Sequence, residues 1–359
     1  MSEPASMEAD RLPWLDATGP WADLVVSTRV RLARNLAGVG FWGRNSEVDR
    51  EHVITAVRAA AADAPALAGA EIHRLDRLDP AERLWFQERQ LVSRELLGLD
   101  SSGKVRSGAA VLVSRSVGVM LNEEDHLRVQ ALRSGFALEQ AYADAECVDR
   151  EFGARLSFAF HPEFGYLSAC PTNVGTGLRA SVLIHLPGLV LTREITKVLQ
   201  GLSQVGLTYR GLYGEGSEAL GNLFQLSNQT TLGKSEGELL GHLGRLVRQV
   251  VEAEVHARTV LRRDASAVLE DRVWRAWGLL HHARMMRFEE LVELLNGVRL
   301  GVSVGILPRL SLATMNRLLV LAQTAHLARA SGTGLDDEAL TVPRAALVRR
   351  LLTDEGMAR

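Results

Sequence analysis

The spacing of hydrophobic positions changes along the chain and separates a mixed region from a helical one. Up to about residue 257, short runs rich in Val and Leu alternate with stretches of helical periodicity. Ala137–Glu151 and Leu189–Leu202 have the spacing of amphipathic helices. The predicted strands are Ala109–Ser114, Val117–Leu121, Ala180–Leu186 and Leu207–Gly211. Neighbouring strands with helices between them predict an α+β fold with a largely antiparallel sheet.

After Gly233 the pattern becomes helical throughout. Ser235 is a candidate N-cap, and Glu238 is placed three residues later as its capping-box partner. A final short basic helix is expected to end at Leu352. The helices predicted between these points are Val268–Arg284, Phe288–Asn296 and Leu312–Arg329. We therefore predict an α+β catalytic domain over residues 1–257 and an all-helical C-terminal domain over residues 258–359.

Composition excludes several classes of function. Hydrophobic residues make up 47% of the chain and charged residues 23%, which is typical of a globular protein. The net charge of −2 lacks the positive excess that is typical of nucleic-acid-binding proteins. No apolar run reaches the ~18 residues of a membrane span. The N-terminus is acidic and interrupted by prolines, so it lacks the basic segment followed by an apolar segment that is typical of a signal peptide. We expect a cytoplasmic protein that binds neither nucleic acid nor membrane.

Arginine supplies most of the positive charge, since only three of the 41 basic residues are lysine. A GC-rich genome is one explanation, and arginines that bind phosphate are another. Arg29 and Arg31 alternate within Ser27–Asn35, so on a strand they would share one face. Two guanidiniums on one face repel each other unless an anion lies between them. Phosphate is a suitable anion, because its oxygens can accept two parallel hydrogen bonds from one planar guanidinium. A solvated strand edge is the alternative.

Acidic residues follow a predicted strand directly at Glu123, Glu124 and Asp125. Adjacent carboxylates at a strand end could clamp a cation or accept a proton. A solvated turn is the plainer interpretation of the same three residues.

Two glycine-rich loops complete the candidate chemistry. Cys170 lies in Ala169–Ser181, where Pro, Asn and Gly are typical of a substrate-binding loop, although no dinucleotide-binding fingerprint is complete. Arg210–Glu218 carries another arginine and two carboxylates. Glycine backbone can approach phosphates closely where a Cβ would obstruct.

Together these segments resemble the phosphagen (guanidino) kinase family. The resemblance is carried by Ser27–Asn35, by Asn-Glu-Glu-Asp-His at 122–126, by Cys-Pro-Thr-Asn-Val-Gly-Thr-Gly at 170–177 and by Arg210–Glu218. Within the family the chain most resembles the bacterial branch that phosphorylates arginine residues of proteins. Its Ser-Thr-Arg motif lies close to residue 1, leaving no room for the helical N-terminal domain of other members, and a helical region follows the kinase-like part. The resemblance implies a glutamine-synthetase-like catalytic domain with an antiparallel sheet flanked by helices.

The same resemblance implies roles for individual residues. Glu124, with Glu123 beside it, would be the catalytic carboxylate that faces the guanidine. Glu218 matches the second carboxylate, Glu215 lies close by, and Cys170 matches the cysteine that faces the substrate guanidinium. The implied ATP-binding residues are Ser27, Thr28, Arg29, Val30, Arg31, Gln90, Arg128, Arg179, Ala180, Ser181, Val182, Leu183, Arg210, Gly211, Leu212, Tyr213, Gly214 and Glu215.

The implied reaction uses ATP with Mg²⁺ held through the nucleotide phosphates, and not through a metal site of the protein. Its substrates would be proteins with exposed arginines. The resemblance further implies a homodimer, a zinc-binding activator and a Clp ATPase whose protease degrades the marked proteins under stress.

Three positions depart from the family pattern. Gln90 stands where the family has His, Leu212 stands where Thr is common, and Leu340-Thr341 replaces the Arg-Asp of a phosphoarginine-sensing motif. Two alternative functions remain open from the residues. One is a kinase for free arginine or another small guanidine, and the other is a catalytically silent adaptor that recruits partners through Val260–Leu352.

Overall fold

The computed structural model describes residues 12–99, 104–114, 117–211, 219–307 and 310–357. The strands in these ranges are β1 (Val25–Arg34), β2 (Glu71–Arg74), β3 (Ala110–Val113), β4 (Val117–Leu121), β5 (Leu127–Ser134), β6 (Phe160–His161), β7 (Gly165–Tyr166), β8 (Leu178–His185), β9 (Leu207–Gly211) and β10 (Leu223–Asn228). Eight of them form one sheet in the order β2-β3-β4-β5-β1-β8-β10-β9, and β6 pairs with β7 separately. Every neighbouring pair is antiparallel, as the sequence predicts.

Helices flank the sheet and dominate the C-terminal third. Those in the described ranges are α1 (Glu47–Ala62), α2 (Pro80–Glu88), α3 (Leu138–Gly153), α4 (Pro187–Leu191), α5 (Ile195–Gln204), α6 (Glu236–Asp264), α7 (Ser266–His282), α8 (Phe288–Ser303), α9 (Leu312–Leu321), α10 (Thr324–Ser331) and α11 (Thr341–Met357). None of these helices has the length and apolarity needed to cross a lipid bilayer.

One face of the sheet is apolar because alternate residues of its strands are aliphatic. Val30 and Leu32 of β1, Val129 of β5, and Ala180 and Val182 of β8 are all buried. They form one hydrophobic core with residues of α1, α3 and α6. The opposite face is therefore the one that can carry polar side chains.

The helical region begins as predicted and differs from the prediction further on. Ser235 caps α6, and its capping box with Glu238 is present. α6 is continuous across the predicted domain boundary at residue 257. The single helix expected over Leu312–Arg329 is two helices, α9 and α10, separated at Ala322-Gln323. The last helix continues to Met357, beyond its predicted end at Leu352.

The helical region packs directly against the catalytic sheet. A second hydrophobic core joins Val26 of β1, Leu183 of β8 and Leu223 of β10 to residues of α7, α8 and α9. Near it, buried Arg258 of α6 donates from Nη2 to the His185 carbonyl at the end of β8 (3.2 Å). The helices therefore lie beside one end of the polar face.

Candidate active site

Strand register gathers arginines on the polar face of the sheet. Directly paired residues of antiparallel strands project to the same side. Arg31 of β1 pairs with Gln130 of β5 and with Arg179 of β8. Arg29, two residues before Arg31, and Arg128, two residues before Gln130, share that side. At the sheet edge, Arg210 of β9 pairs with Gln225 of β10, which brings together the five arginines that the sequence predicts as phosphate ligands.

Amide side chains hold the arginines in position. Arg29 donates from Nη2 to Oε1 of Gln225 (2.7 Å) and from Nη1 to Oε1 of Gln90 (3.4 Å). Gln130 donates from Nε2 to the carbonyl of Gln90 (2.7 Å) and accepts from Nε of Arg31 (2.9 Å). Gln90 has a positive φ of 61°. This backbone turn brings both its carbonyl and its side chain to the polar face, where the sequence predicts it. Gln130 and Gln225 were not predicted, although each alternates with arginine or polar positions on its strand.

The electrostatics of this face favour a polyanion. Burial, followed by repulsion from Arg210, Arg179 and Arg128, lowers the pKa of Arg29 to about 9. Burial and the charge of Arg29 lower the pKa of Arg31 well below its ordinary value. A pKa of about 9 still leaves Arg29 charged at neutral pH, so the arginines repel one another there. Bound phosphate groups would neutralise this repulsion.

Several predicted nucleotide-binding residues have side chains that do not reach the polar face. Val30, Ala180 and Val182 lie in the core on the other side of the sheet. The Thr28 hydroxyl donates to the carbonyl of Gly135 (2.6 Å) and accepts from the backbone N–H of Ala137 (3.1 Å), so it ties β1 to the segment after β5. For these four, the period-two alternation of a strand excludes side-chain contact with a ligand on the polar face.

The remaining predicted residues fall into three groups. Ser27, Ser181 and Leu183 line a slot at one end of the polar face. Gly211 ends β9 and pairs with Phe224. The predicted residues that lie outside the described ranges are Leu212, Tyr213, Gly214, Glu215 and Glu218.

The two predicted glutamates have different environments. Glu123 is buried, pairs with Nη1 of Arg128 at 2.5 Å, and accepts from the Ser93 hydroxyl. Oε2 of Glu124 lies 3.2 Å from Nη2 of Arg128, and the Glu124 side chain is 42% exposed. Burial lowers the pKa of Arg128, but Glu123, Asp125 and Glu124 together raise it above its ordinary value. Glu123 thus positions Arg128, while Glu124 is the accessible carboxylate.

Cys170 and Glu124 line the same cavity of about 70 Å³. Arg31, Arg128 and Arg179 line the same cavity. The Cys170 thiol contacts the Thr172 hydroxyl at 3.1 Å. A planar cationic group entering here would meet a carboxylate and a thiol, with the arginine cluster immediately beyond.

Asp125 anchors the cysteine loop, a role that the sequence interpretation missed. Its buried Oδ1 accepts from Asn35 Nδ2 (2.7 Å), the Ser168 hydroxyl (2.7 Å) and the Ala169 N–H (3.1 Å). Its Oδ2 accepts from Asn173 Nδ2 (3.2 Å). Asp125 therefore fixes the loop that carries Cys170 to the strand end that carries Glu124.

A large open cleft leads to this position. It measures about 1230 Å³ and includes the arginines of the polar face together with Glu123 and Glu124. Apolar side chains, among them Trp42, Val92 and Phe288, also line it. A ligand much larger than a single amino acid can therefore reach Glu124.

Two regions of the chain match known domains. Residues 52–257 match the ATP:guanido phosphotransferase C-terminal catalytic domain. Residues 266–358 match the C-terminal domain of the protein-arginine kinase McsB. The first match begins after β1, so Arg29 and Arg31 lie outside it, while Glu124, Arg128, Cys170, Arg179 and Arg210 lie within it.

Relatives match over nearly the whole chain. The protein-arginine kinase of Symbiobacterium thermophilum is 44% identical over 343 residues, which cover 95% of this chain and 96% of that protein. The protein-arginine kinase of Brevibacillus brevis is 41% identical over 356 residues and 98% of each chain. Among solved structures, a lombricine kinase aligns with a TM-score of 0.57 and 24% identity over 69% of this chain and 71% of that one. That similarity supports the phosphagen kinase fold.

Proposed function

Since the chain belongs to the ATP:guanido phosphotransferases, and over nearly its whole length to the protein-arginine kinases, we propose that it transfers the γ-phosphoryl group of ATP to arginine side chains of proteins. The observation that carries this proposal is the juxtaposition at the Cys170 cavity. An accessible carboxylate, Glu124, lies next to Arg31, Arg128 and Arg179 at that point. A guanidine acceptor and a phosphate donor can meet there.

Proton removal is the difficult part of the reaction. An arginine guanidinium loses its proton only far above neutral pH, so freeing a nitrogen lone pair near neutral pH costs roughly 8 kcal/mol. In the proposed mechanism Glu124 accepts this proton as the guanidine nitrogen attacks the γ-phosphorus. The N–P bond forms, the bond from phosphorus to the bridging oxygen breaks, and ADP leaves with the electron pair.

The arginine cluster would stabilise the phosphoryl group in transit. Phosphoryl transfer proceeds through a charge-rich, loosely bonded transition state, so stabilisation depends on surrounding cations. Arg29, Arg31, Arg128, Arg179 and Arg210 supply those cations in fixed positions. The two predicted catalytic glutamates within the described ranges, Glu123 and Glu124, already contact Arg128, so Mg²⁺ would be held through the nucleotide phosphates, where it would supply further positive charge.

Cys170 is assigned an orienting role. It lines the same cavity as Glu124, and its sulfur contacts the Thr172 hydroxyl. Negative charge or polarisability at this sulfur would attract the guanidinium and direct one nitrogen toward the phosphate. No covalent phosphoenzyme is required, because donor and acceptor can share the cleft.

Protein arginine is favoured over free arginine as the acceptor. The relatives that match nearly the whole chain carry the name protein-arginine kinase, and the cleft of about 1230 Å³ is wide enough for a peptide segment. The test is incubation with ATP and either free arginine or an unfolded protein, followed by phosphorus NMR. The proposal predicts a phosphoramidate signal with the protein. A signal with free arginine alone would favour a metabolite kinase, and no ATP consumption with either would favour the adaptor.

The cellular role is proposed from the same relationship. The modified proteins would be targeted to a Clp-type protease in the cytoplasm during stress, with a zinc-binding protein as activator and a homodimer as the working form. Pull-down of a Clp ATPase by phosphorylated but not by unmodified substrate would support this role. Equal capture of both forms would contradict it.

A further inference from the structure

The polar face changes from cationic to apolar along its strands. Residues of β5 and β8 that alternate toward this face are Arg128, Gln130 and Leu132, and Arg179, Ser181 and Leu183. Four strand residues span roughly 13 Å, so the side chains of both strands on this face change from charged to apolar over that distance. A nucleotide has the same polarity, since its phosphates lie at one end and its planar base at the other. A nucleotide with its phosphates at the arginines would extend its base toward Leu132 and Leu183.

The helical region covers this apolar end. A narrow slot there is lined by Leu132 and Leu183 from the sheet, by Trp14, and by Leu319, Val320 and Gln323. Leu319 and Val320 belong to α9 and are buried in the second core, which makes this wall firm. Gln323, between α9 and α10, is partly exposed. Its amide can both donate and accept hydrogen bonds, as the edge of a purine requires.

A buried carboxylate fixes the same wall to the catalytic part. Glu88, 3% exposed, accepts from the backbone N–H groups of Ala325 (2.7 Å) and His326 (3.0 Å) and contacts Nδ1 of His326 at 2.6 Å. These N–H groups belong to the first turn of α10, which a carboxylate stabilises. Gln90, which contacts Arg29, follows Glu88 by two residues. The start of α10 and the cationic face are thus held by one short segment.

We propose that the helical region forms one wall of the pocket for the nucleotide base, with Gln323 in contact with the purine. The slot measures about 30 Å³, less than a purine occupies, so the base enters by displacing the partly exposed Gln323 side chain, which then lies against the purine. The proposal rests on the proposed function, because it extends the ATP site of that reaction.

Calorimetric titration of the full chain with ADP and with pyrophosphate, both with Mg²⁺, separates base contacts from phosphate contacts. Gln323→Trp places a rigid indole, about as large as a purine, at the slot wall and is expected to weaken ADP binding at least tenfold, while pyrophosphate affinity stays within twofold. Gln204→Trp, at an exposed glutamine that ends α5, is the matched control and should change neither affinity. Equal losses for ADP and pyrophosphate, or no loss for either, would overturn the proposal.

Photolabelling of the wild-type chain gives an answer that does not depend on how the variant folds. With 2-azido-ADP and 8-azido-ADP, the tryptic peptide Leu318–Arg329 is expected to carry label that excess ADP prevents. Label confined to peptides of the sheet would exclude the helical wall.

The two proposals fail in different ways. If wild-type protein binds neither ADP nor pyrophosphate, the phosphate-binding role of the arginines is wrong, and with it the proposed function. If both bind but Gln323→Trp does not distinguish them, only the assignment of the helical wall is wrong.

Discussion

Glu123 and Glu124 are neighbours in sequence, yet only one can act as a base. Glu123 is enclosed by Arg128 and Ser93. Glu124 retains an exposed side chain in the cavity shared with Cys170. A base must reach the proton that it accepts, so the geometry selects Glu124.

Glu124→Gln tests this selection. The variant keeps the shape of the side chain and removes its basicity, so phosphoryl transfer should fall ~10²-fold or more while ADP still binds. Initial rates and calorimetric ADP affinity measure the two effects. Glu139→Gln, at an exposed residue in the first turn of α3, should leave both unchanged. Wild-type turnover by Glu124→Gln would remove the assignment.

Asp125→Asn tests the anchoring of the cysteine loop. Asn has one acceptor oxygen and introduces donors, so it cannot satisfy the four donors that Asp125 satisfies, and unpaired buried groups cost about 1–3 kcal/mol each. We expect a lower kcat, unchanged ADP affinity, and several-fold faster alkylation of Cys170 by iodoacetamide, measured by mass spectrometry. Unchanged alkylation together with full activity would show that the loop does not depend on Asp125.

The role of a residue could be predicted from the sequence only where it depends on residues close to it in the chain. The acidic run and the Arg29/Arg31 alternation are visible in short segments. The role of Asp125 depends on Asn35, 90 residues away, and on Asn173, 48 residues away. Spacing along the chain gives no signal for such contacts.

At the scale of the sheet, the phosphate-binding role proposed for the arginine cluster implies a cost in stability without ligand. Arg29→Met should remove a buried charge and its repulsion by the neighbouring arginines, since burial and then this repulsion lower the pKa of Arg29 to about 9. We expect Tm without ligand to rise by about 2 °C or more, and the stabilisation by ADP to shrink. Differential scanning fluorimetry measures both. Arg245→Met, at an exposed position of α6, is the control, and a fall in Tm for Arg29→Met would contradict the account.

The junction between α9 and α10 depends on one distant carboxylate. Glu88→Ala removes the acceptor for two backbone N–H groups of α10 and for the His326 side chain. A loss of about 1–3 kcal/mol in the free energy of unfolding is expected from the unpaired donors. Chemical denaturation measures it. A change below about 0.5 kcal/mol would mean that the contact contributes nothing net.

Secondary structure was predicted well where local pattern decides it. Strands β4 and β9 have their predicted bounds, and the Ser235 capping box is present. The break at Ala322-Gln323 was missed because hydrophobic spacing continues through it. The carboxylate that fixes the start of α10 comes from Glu88, 237 residues away from Ala325. A periodicity argument cannot detect a break that a tertiary contact creates.

At the scale of the molecule, the described residues form a cleft with two unlike ends. The sheet supplies cations, and the strand end at Glu124 with the Cys170 loop supplies the acceptor position. The helical region packs against the far end of the same face. Family membership and this arrangement agree on a transfer between a nucleotide and a guanidine.

One segment of the helical region departs from the phosphoarginine-sensing motif that the family resemblance implies. Leu340 and Arg344 are fully buried, and Arg344 donates from Nε to the Ala322 carbonyl (2.8 Å) and from Nη1 to the Met286 carbonyl (3.1 Å). With Leu340-Thr341 in place of Arg-Asp, this segment supports the fold of the helices. Phosphoarginine added to the protein should therefore leave its activity unchanged, and a dose-dependent activation in the kinase assay would contradict that expectation.

The most direct measurement of the central claim is mass spectrometry, under non-acidic conditions, of an unfolded protein incubated with ATP and this chain. The P–N bond is acid-labile, so neutral handling preserves the product. The account predicts phosphate on arginine residues with the wild-type chain and its near absence with Glu124→Gln. Phosphate found only on hydroxyl side chains, or arginine phosphorylation that persists in Glu124→Gln, would contradict the account.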